Sequence, residues 1–199
     1  MEKHKIDIEL TPSLADAYYY RGIILYDMDR WEEAVQELTK AIELNPLHGY
    51  AYMERGKALV FVNDKPLKDF NKCIEINPNN ADFYAARGTY YYTNCMNEEA
   101  LRDFAKVLEL NPNDVEILGY RAEVYTDMKK YPEAFLDYHK LSELNPKDAE
   151  TYFDLAMVFY EMGYGEACIK NLAKAAELDY NYESKLEYFT EELKSLRIK

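Results

Sequence analysis

Glu43-Leu44-Asn45-Pro46 returns three times down the chain, as Glu75-Ile76-Asn77-Pro78, Glu109-Leu110-Asn111-Pro112 and Glu143-Leu144-Asn145-Pro146. With the fainter Glu9-Leu10-Thr11-Pro12 in front, the five prolines stand 34, 32, 34 and 34 residues apart. A last echo, Glu177-Leu178-Asp179-Tyr180, carries tyrosine where the others carry proline. A fixed period of this length marks a stacked array of repeats. The register predicts units at 15–48, 49–80, 81–114, 115–148 and 149–182. Residues 1–14 read as the tail of a truncated repeat, either a natural start in mid-repeat or a piece of a longer array. Residues 183–199 read as a C-terminal capping helix.

Columns emerge when the units are set in register. Gly22, Gly56, Gly88, Ala122 and Ala156 form a small column; Tyr18, Tyr52, Tyr84, Leu118 and Tyr152 precede it by four residues. Leu25, Leu59, Tyr91, Tyr125 and Phe159 follow it by three. The second half of each unit repeats the spacing through Ala34, Pro66, Ala100, Ala134 and Cys168, then Leu38, Phe70, Phe104, Tyr138 and Leu172, then Ala41, Cys73, Val107, Leu141 and Ala175. Apolar positions at i, i+4 and i+7 share one face of an α-helix. Each unit is therefore a helix–turn–helix, closed by its proline. Unit 49–80 is two residues short near Val62-Asn63, so its turn should be tight, with Asn63 or Asp64 as N-cap and Pro66 in the first helical turn. Ser184-x-x-Glu187 reads as a capping box, and Leu186, Phe189, Leu193 and Leu196 as the apolar stripe of the closing helix.

This pattern resembles the tetratricopeptide repeat (TPR) family over residues 15–182. The resemblance implies an all-α fold, an α-solenoid of five helix–turn–helix TPR units wound into a right-handed superhelix. It also implies a protein–protein interaction scaffold, with ligand peptides on the concave face formed by the first helices.

Composition narrows the classes. The 199 residues carry a net charge of -13, 20 tyrosines and one tryptophan. An acidic chain lacks the basic surface that nucleic acid requires. No apolar stretch is long enough to span a membrane, and no signal peptide is visible, so a cytoplasmic location is expected. Three scattered cysteines argue against a disulfide framework and against zinc. His4, His48 and His139 are spread over a tail, a turn and a second helix, and read as solvated surface residues. No phosphate-binding loop, metal-ligand spacing or nucleophile motif is present. No enzyme activity, cofactor or metal is therefore expected.

Function must then lie in binding. On each first helix the face turned away from the second helix recurs at i, i+3, i+4, i+7, i+10 and i+11. The candidate peptide-binding residues are Tyr19, Tyr20, Tyr26 and Asp27; Tyr50, Glu54, Lys57 and Phe61; Thr89 and Tyr92; Tyr120, Glu123 and Asp127; and Phe153, Asp154 and Tyr160. Ala85, Ala86 and Gly119 leave room between them. Over all 30 such positions, 10 are acidic, nine aromatic and one basic. A tyrosine-rich trough with acidic edges suits a peptide bearing basic and apolar residues. Helix-dipole preference explains Asp16, Asp82, Glu116 and Glu150 equally well, and aromatic residues at helical spacing also serve as packing.

Members of the family that hold the C-terminal carboxylate of chaperone tails use Lys and Asn, then Asn, then Lys and Arg on this face. Lys57 is the only base here, so that clamp is not expected. Arg21, Arg55, Arg87 and Arg121 recur beside the small column and read as structural pairing. Two alternatives stay open. The chain could be a homo-oligomerising module, joined through an N-terminal face that includes Ile6, Ile8 and Leu10. It could also be the regulatory or substrate-presenting part of a larger enzyme.

Overall fold

The computed structural model describes residues 13–62 and 65–197, without the side chains of residues 196 and 197. Ile6, Ile8, Leu10, Asn63, Asp64 and the Leu196 side chain lie outside the described residues. The described residues form eleven α-helices and one short 3-10 turn: α1 (Leu14–Asp27), α2 (Trp31–Leu44), α3 (Gly49–Phe61), α4 (Leu67–Ile76), α5 (Ala81–Thr93), α6 (Asn97–Leu110), α7 (Val115–Asp127), α8 (Tyr131–Leu144), α9 (Ala149–Glu161), α10 (Gly165–Leu178), the turn (Tyr180–Tyr182) and α11 (Glu183–Arg197). No strand occurs among them.

Local chemistry sets the helix ends. A capping box opens α1: the Ser13 N–H donates to Asp16 Oδ2 at 2.9 Å, and the Asp16 N–H donates back to Ser13 Oγ at 3.2 Å. The helices α2, α4, α6 and α8 stop at Asn45, Asn77, Asn111 and Asn145 in extended or near-extended backbone. Each asparagine precedes a proline, which disfavours the helical conformation of the residue before it. Two expectations need correction. Pro66 is the N-cap of α4 rather than a residue of its first turn, and its carbonyl accepts from the Asp69 N–H at 3.0 Å. Ser184 is not a cap. The 3-10 turn, itself capped by Asp179, runs into α11 one residue earlier, so Ser184 lies inside the helix.

The chain divides into two compact units, Met1–Tyr90 and Tyr91–Lys199, with α5 contributing to both. Within each, adjacent helices pack as hairpins in an α-solenoid manner. The first unit's core joins Ala34, Leu38, Ala41, Ile42, Ala51 and Ala58, with Met53, Cys73 and Phe83 beyond them. The second unit's core holds Leu118, Ala122, Ala134, Tyr138, Leu141, Leu155 and Val158. At its end Leu186, Phe189 and Leu193 of α11 cover Ala156, Cys168 and Leu172.

The small column has a steric reason. A Cβ added at Gly22 would stand 2.5 Å from Leu38 Cγ, and one at Gly56 2.7 Å from Phe70 Cε1. The arginine column beside it is structural. Arg55 grips Asp69 at 2.7 and 2.9 Å, Arg121 grips Asp137 at 2.7 and 2.6 Å, and Arg21 meets Glu37 at 2.5 Å. Arg87 donates to Asn71 Oδ1 at 2.6 Å. The partner lies 16 residues on for Arg21 and Arg121 but 14 for Arg55.

Between paired helices one residue turns left-handed: Asp29 at φ 58°, Cys95 at 57°, Lys129 at 56° and Gly163 at 79°. The following N–H then reaches back five residues, as Lys130 does to Tyr125 O at 2.8 Å. Only glycine adopts this conformation without a Cβ penalty. Lys129→Gly should therefore stabilise the second unit by about 0.5–1 kcal/mol in urea unfolding.

Candidate functional site

Every sequence-derived candidate is at least partly open to solvent, but they do not form a uniform surface. In the first unit, Tyr19 lies 5.1 Å from Tyr20 and 4.6 Å from the His48 ring. Burial, aided by the Glu54 carboxylate, pushes the Tyr19 phenol up to about 12. Phe61 packs edge-on to Tyr26 at 5.8 Å and stacks on Trp31 at 4.7 Å. Lys57 is neutralised by Glu54 at 2.9 Å. The Tyr50 hydroxyl accepts from Asn80 and donates to Asp82 at 3.0 Å. Met53, on the same helical face, is core instead, at 5% exposure. Thr89 is half-buried and Asp27 exposed. Aromatic rings dominate this face, and its one lysine is taken up by Glu54.

His48 departs from its expected solvated role. Its side chain is 11% exposed, its Nε2 is 3.3 Å from Asp16 Oδ1, and its Nδ1 accepts the Ala51 N–H at 3.2 Å. It is the N-cap of α3. The sequence concealed this because the usual cap position holds an imidazole.

In the second unit the carboxylates gather. Between α7 and α9, over α8, lies a cavity of about 260 Å³. Its floor is Tyr138, Leu141 and Thr151, and its rim carries Glu116, Glu123, Asp148, Glu150 and Asp154 with Gly119 and Tyr120. Nothing lies within 4 Å of a Cβ built at Gly119, so the entrance is open there. Tyr120 donates to Glu116 at 3.0 Å, Thr151 donates to Asp148 at 2.5 Å, and Tyr92 donates to Glu123. Asp154 is half-buried. Burial, reinforced by Glu150, Glu123 and Asp148, pushes its carboxyl up to about 7. The buried Tyr138 phenol is pushed up for the same reason, next to the charges of Asp154 and Glu123.

Other candidates sit apart from this cavity. Asp127 is exposed at the end of α7. Phe153 packs on Tyr182 at 5.2 Å. Tyr160 donates to Glu192 of α11 at 2.9 Å and packs on Phe189, so the closing helix occupies that part of the face. Sequence reasoning missed Tyr138, Leu141, Asp148 and Thr151. The first two were assigned only to packing columns, although Gly119 in the facing helix marked the opening above them. Among the described residues no group of three or more His, Cys, Asp or Glu is placed to hold a metal ion, and no helix is long and apolar enough to cross a membrane.

Family models match two stretches: residues 15–48 match one described as tetratricopeptide repeat, and residues 122–163 one described as TPR repeat. The chain is 30% identical over 97 residues to the Hsp70-Hsp90 organizing protein of Triticum aestivum, covering 46% of this chain and 17% of that protein. It is 35% identical over 83 residues to Hsp70-Hsp90 organizing protein 1 of Glycine max, covering 39% of this chain and 14% of that one. It is also 34% identical over 73 residues to a UDP-N-acetylglucosamine–peptide N-acetylglucosaminyltransferase of Giardia intestinalis, covering 36% of this chain and 5% of that protein. The chain thus spans less than a fifth of these relatives. Among solved structures, MamA matches with a TM-score of 0.75 at 17% identity, over 83% of this chain and 92% of that one. YrrB, described as a TPR protein with an unusual peptide-binding site, matches with a TM-score of 0.73 at 20% identity, over 88% and 90%. At these identities the solved structures bear on the fold alone.

Proposed function

We infer that this chain, a tetratricopeptide repeat protein, is a non-catalytic interaction scaffold that binds a basic, apolar peptide segment of a partner. In this reading the repeats 15–48, 49–80, 81–114, 115–148 and 149–182 supply the binding face through their first helices. The observation that carries it is the cavity beneath Gly119. Apolar Leu141 and the Tyr138 ring suit the methylene stem of a lysine or arginine, and the five surrounding carboxylates suit its charged head. Asp154 in particular is a carboxyl whose ionised form lacks a cation, which an incoming guanidinium would supply. Two of the curated relatives are named as Hsp70-Hsp90 organizing proteins, which supports a scaffold role here. The same acidity disfavours an acidic C-terminal tail as the ligand.

Fluorescence anisotropy with labelled peptides tests this. Peptides alternating arginine or lysine with apolar residues should bind, and should weaken roughly ten-fold or more from low to high salt. Preference for glutamate-bearing peptides, or binding that strengthens with salt, would overturn the reading. The match to a small part of a peptide glycosyltransferase favours one second reading, a substrate-presenting array within a larger enzyme. That reading requires transferase activity to travel with a longer native product containing this sequence.

A further inference from the structure

Phe61 is the exception in its column. The same position on the other first helices holds Asp27, Thr93, Asp127 and Glu161, all exposed and polar. Packing between repeats therefore does not call for an aromatic side chain there. Phe61 is nevertheless 52% exposed at the end of α3. Its ring is fixed in place: it stacks on Trp31 at 4.7 Å, 16° from parallel, and Tyr26 lies edge-on to it at 5.8 Å. Trp31 and Tyr26 are half-buried. Rigid aromatic clusters with open surface are where binding energy concentrates. The charge around this one is unbalanced. Every lysine and arginine on α1, α2, α3 and the turns joining them is already paired with another carboxylate. Arg21 and Lys40 are on Glu37, Arg30 on Glu33, Arg55 on Asp69 and Lys57 on Glu54. The exposed Asp27 and Asp29 are left without a cation among the described residues. Burial pushes the Tyr26 phenol up, and the charges of Glu54, Asp27 and Asp29 add to it, which sets both aspartates beside the ring cluster.

We propose that Phe61, backed by Trp31 and Tyr26, is a stacking platform for an arginine side chain of the partner, with Asp27 and Asp29 as the carboxylates that draw its guanidinium in. A guanidinium is planar and more weakly hydrated than an ammonium. It can lie flat on a ring while its N–H groups point outward to carboxylates. A lysine ammonium meets the carboxylates equally well but has no plane to stack and holds its water more tightly. An apolar side chain would gain the ring contact and leave both aspartates without a counter-ion. This deepens the peptide-binding reading by naming a residue of the partner, and it rests on that reading for the partner being a basic peptide. It concerns the first unit alone.

The test adds a short peptide alternating arginine with leucine, and its lysine and citrulline counterparts, to the full 199-residue chain. Trp31 is the one tryptophan and the peptides carry none, so its emission reports this site and not the cavity beneath Gly119. The arginine peptide should shift that emission saturably. The lysine form should need roughly three- to ten-fold more peptide, and citrulline, which keeps the shape and loses the charge, more than about ten-fold. Phe61→Thr takes the residue that Thr93 supplies in the same column; by anisotropy it should bring the arginine and lysine peptides level. The exposed pair Asp27→Asn, Asp29→Asn leaves the rings in place and should weaken the arginine peptide about three-fold or more at low salt. Equal Trp31 responses to arginine and citrulline, or unchanged affinity in the aspartate pair, would overturn the proposal. A flat Trp31 signal, with peptide binding that Asp154→Asn weakens, would sink this platform and leave the cavity standing. Binding that Trp31 follows and Asp154→Asn leaves intact would support the platform and unseat the cavity.

Discussion

Asp69→Ala should cost the first unit about 3–5 kcal/mol. The carboxylate side chain is 5% exposed and holds Arg55, itself 19% exposed, through two hydrogen bonds. Removing it leaves the guanidinium with the Thr39 hydroxyl at 3.1 Å and the Tyr52 ring, and without a hydrogen-bonded carboxylate among the described residues. A charge kept from water without its counter-ion is far costlier than the pair was stabilising. The double variant Arg55→Met, Asp69→Leu should therefore recover most of the loss. The single tryptophan, Trp31, sits on Phe61 in this unit and reports its urea unfolding by fluorescence. A loss under about 1 kcal/mol in the single variant would mean that water reaches the pair.

Asp154→Asn should act in the opposite direction on stability, raising that of the second unit by about 2–3 kcal/mol at pH 8. The sign follows from linkage. The folded carboxyl titrates at about 7, against an ordinary value of 3.8 in the unfolded chain. Above pH 7 the folded state holds a charge that unfolding would relieve, so the native protein is penalised. As pH falls through 7 toward 4 the penalty fades, and the native chain gains stability that the asparagine variant does not. The difference between the two should shrink by more than half by pH 5 and disappear by about pH 4. Unfolding followed by circular dichroism across that range reads it directly. Peptide affinity should move the other way: the variant binds a basic peptide more weakly, and wild-type binding falls as Asp154 takes up its proton. A variant that binds equally well would remove Asp154 from the site.

Much of the fold was legible because hairpin contacts are local. Gly22 faces Leu38 and Gly56 faces Phe70 within one repeat, so the steric rule is written as a small column followed by a bulky one. Arg21 and Arg121 follow the same logic, each with its carboxylate partner 16 residues on. The candidate face was legible only as a list. Nothing in the periodicity separates Glu54, paired with Lys57, from Asp154, pressed among like charges. Tyr92 and Tyr160 share one column in sequence, yet one hydroxyl is committed to Glu123 of the next first helix and the other to Glu192 of the closing helix.

What the sequence alone determined is the repeating element: its period, the two helices within it, the steric pairing between them and the overall acidity. These follow from interactions within about 34 residues, which every repeat restates. Tertiary structure decided which of those acids matter. Withdrawal of a carboxyl from water depends on α7, α8 and α9 meeting around one cavity, a product of packing between repeats that no single repeat encodes. The same packing turned His48 from a solvated turn residue into a helix cap.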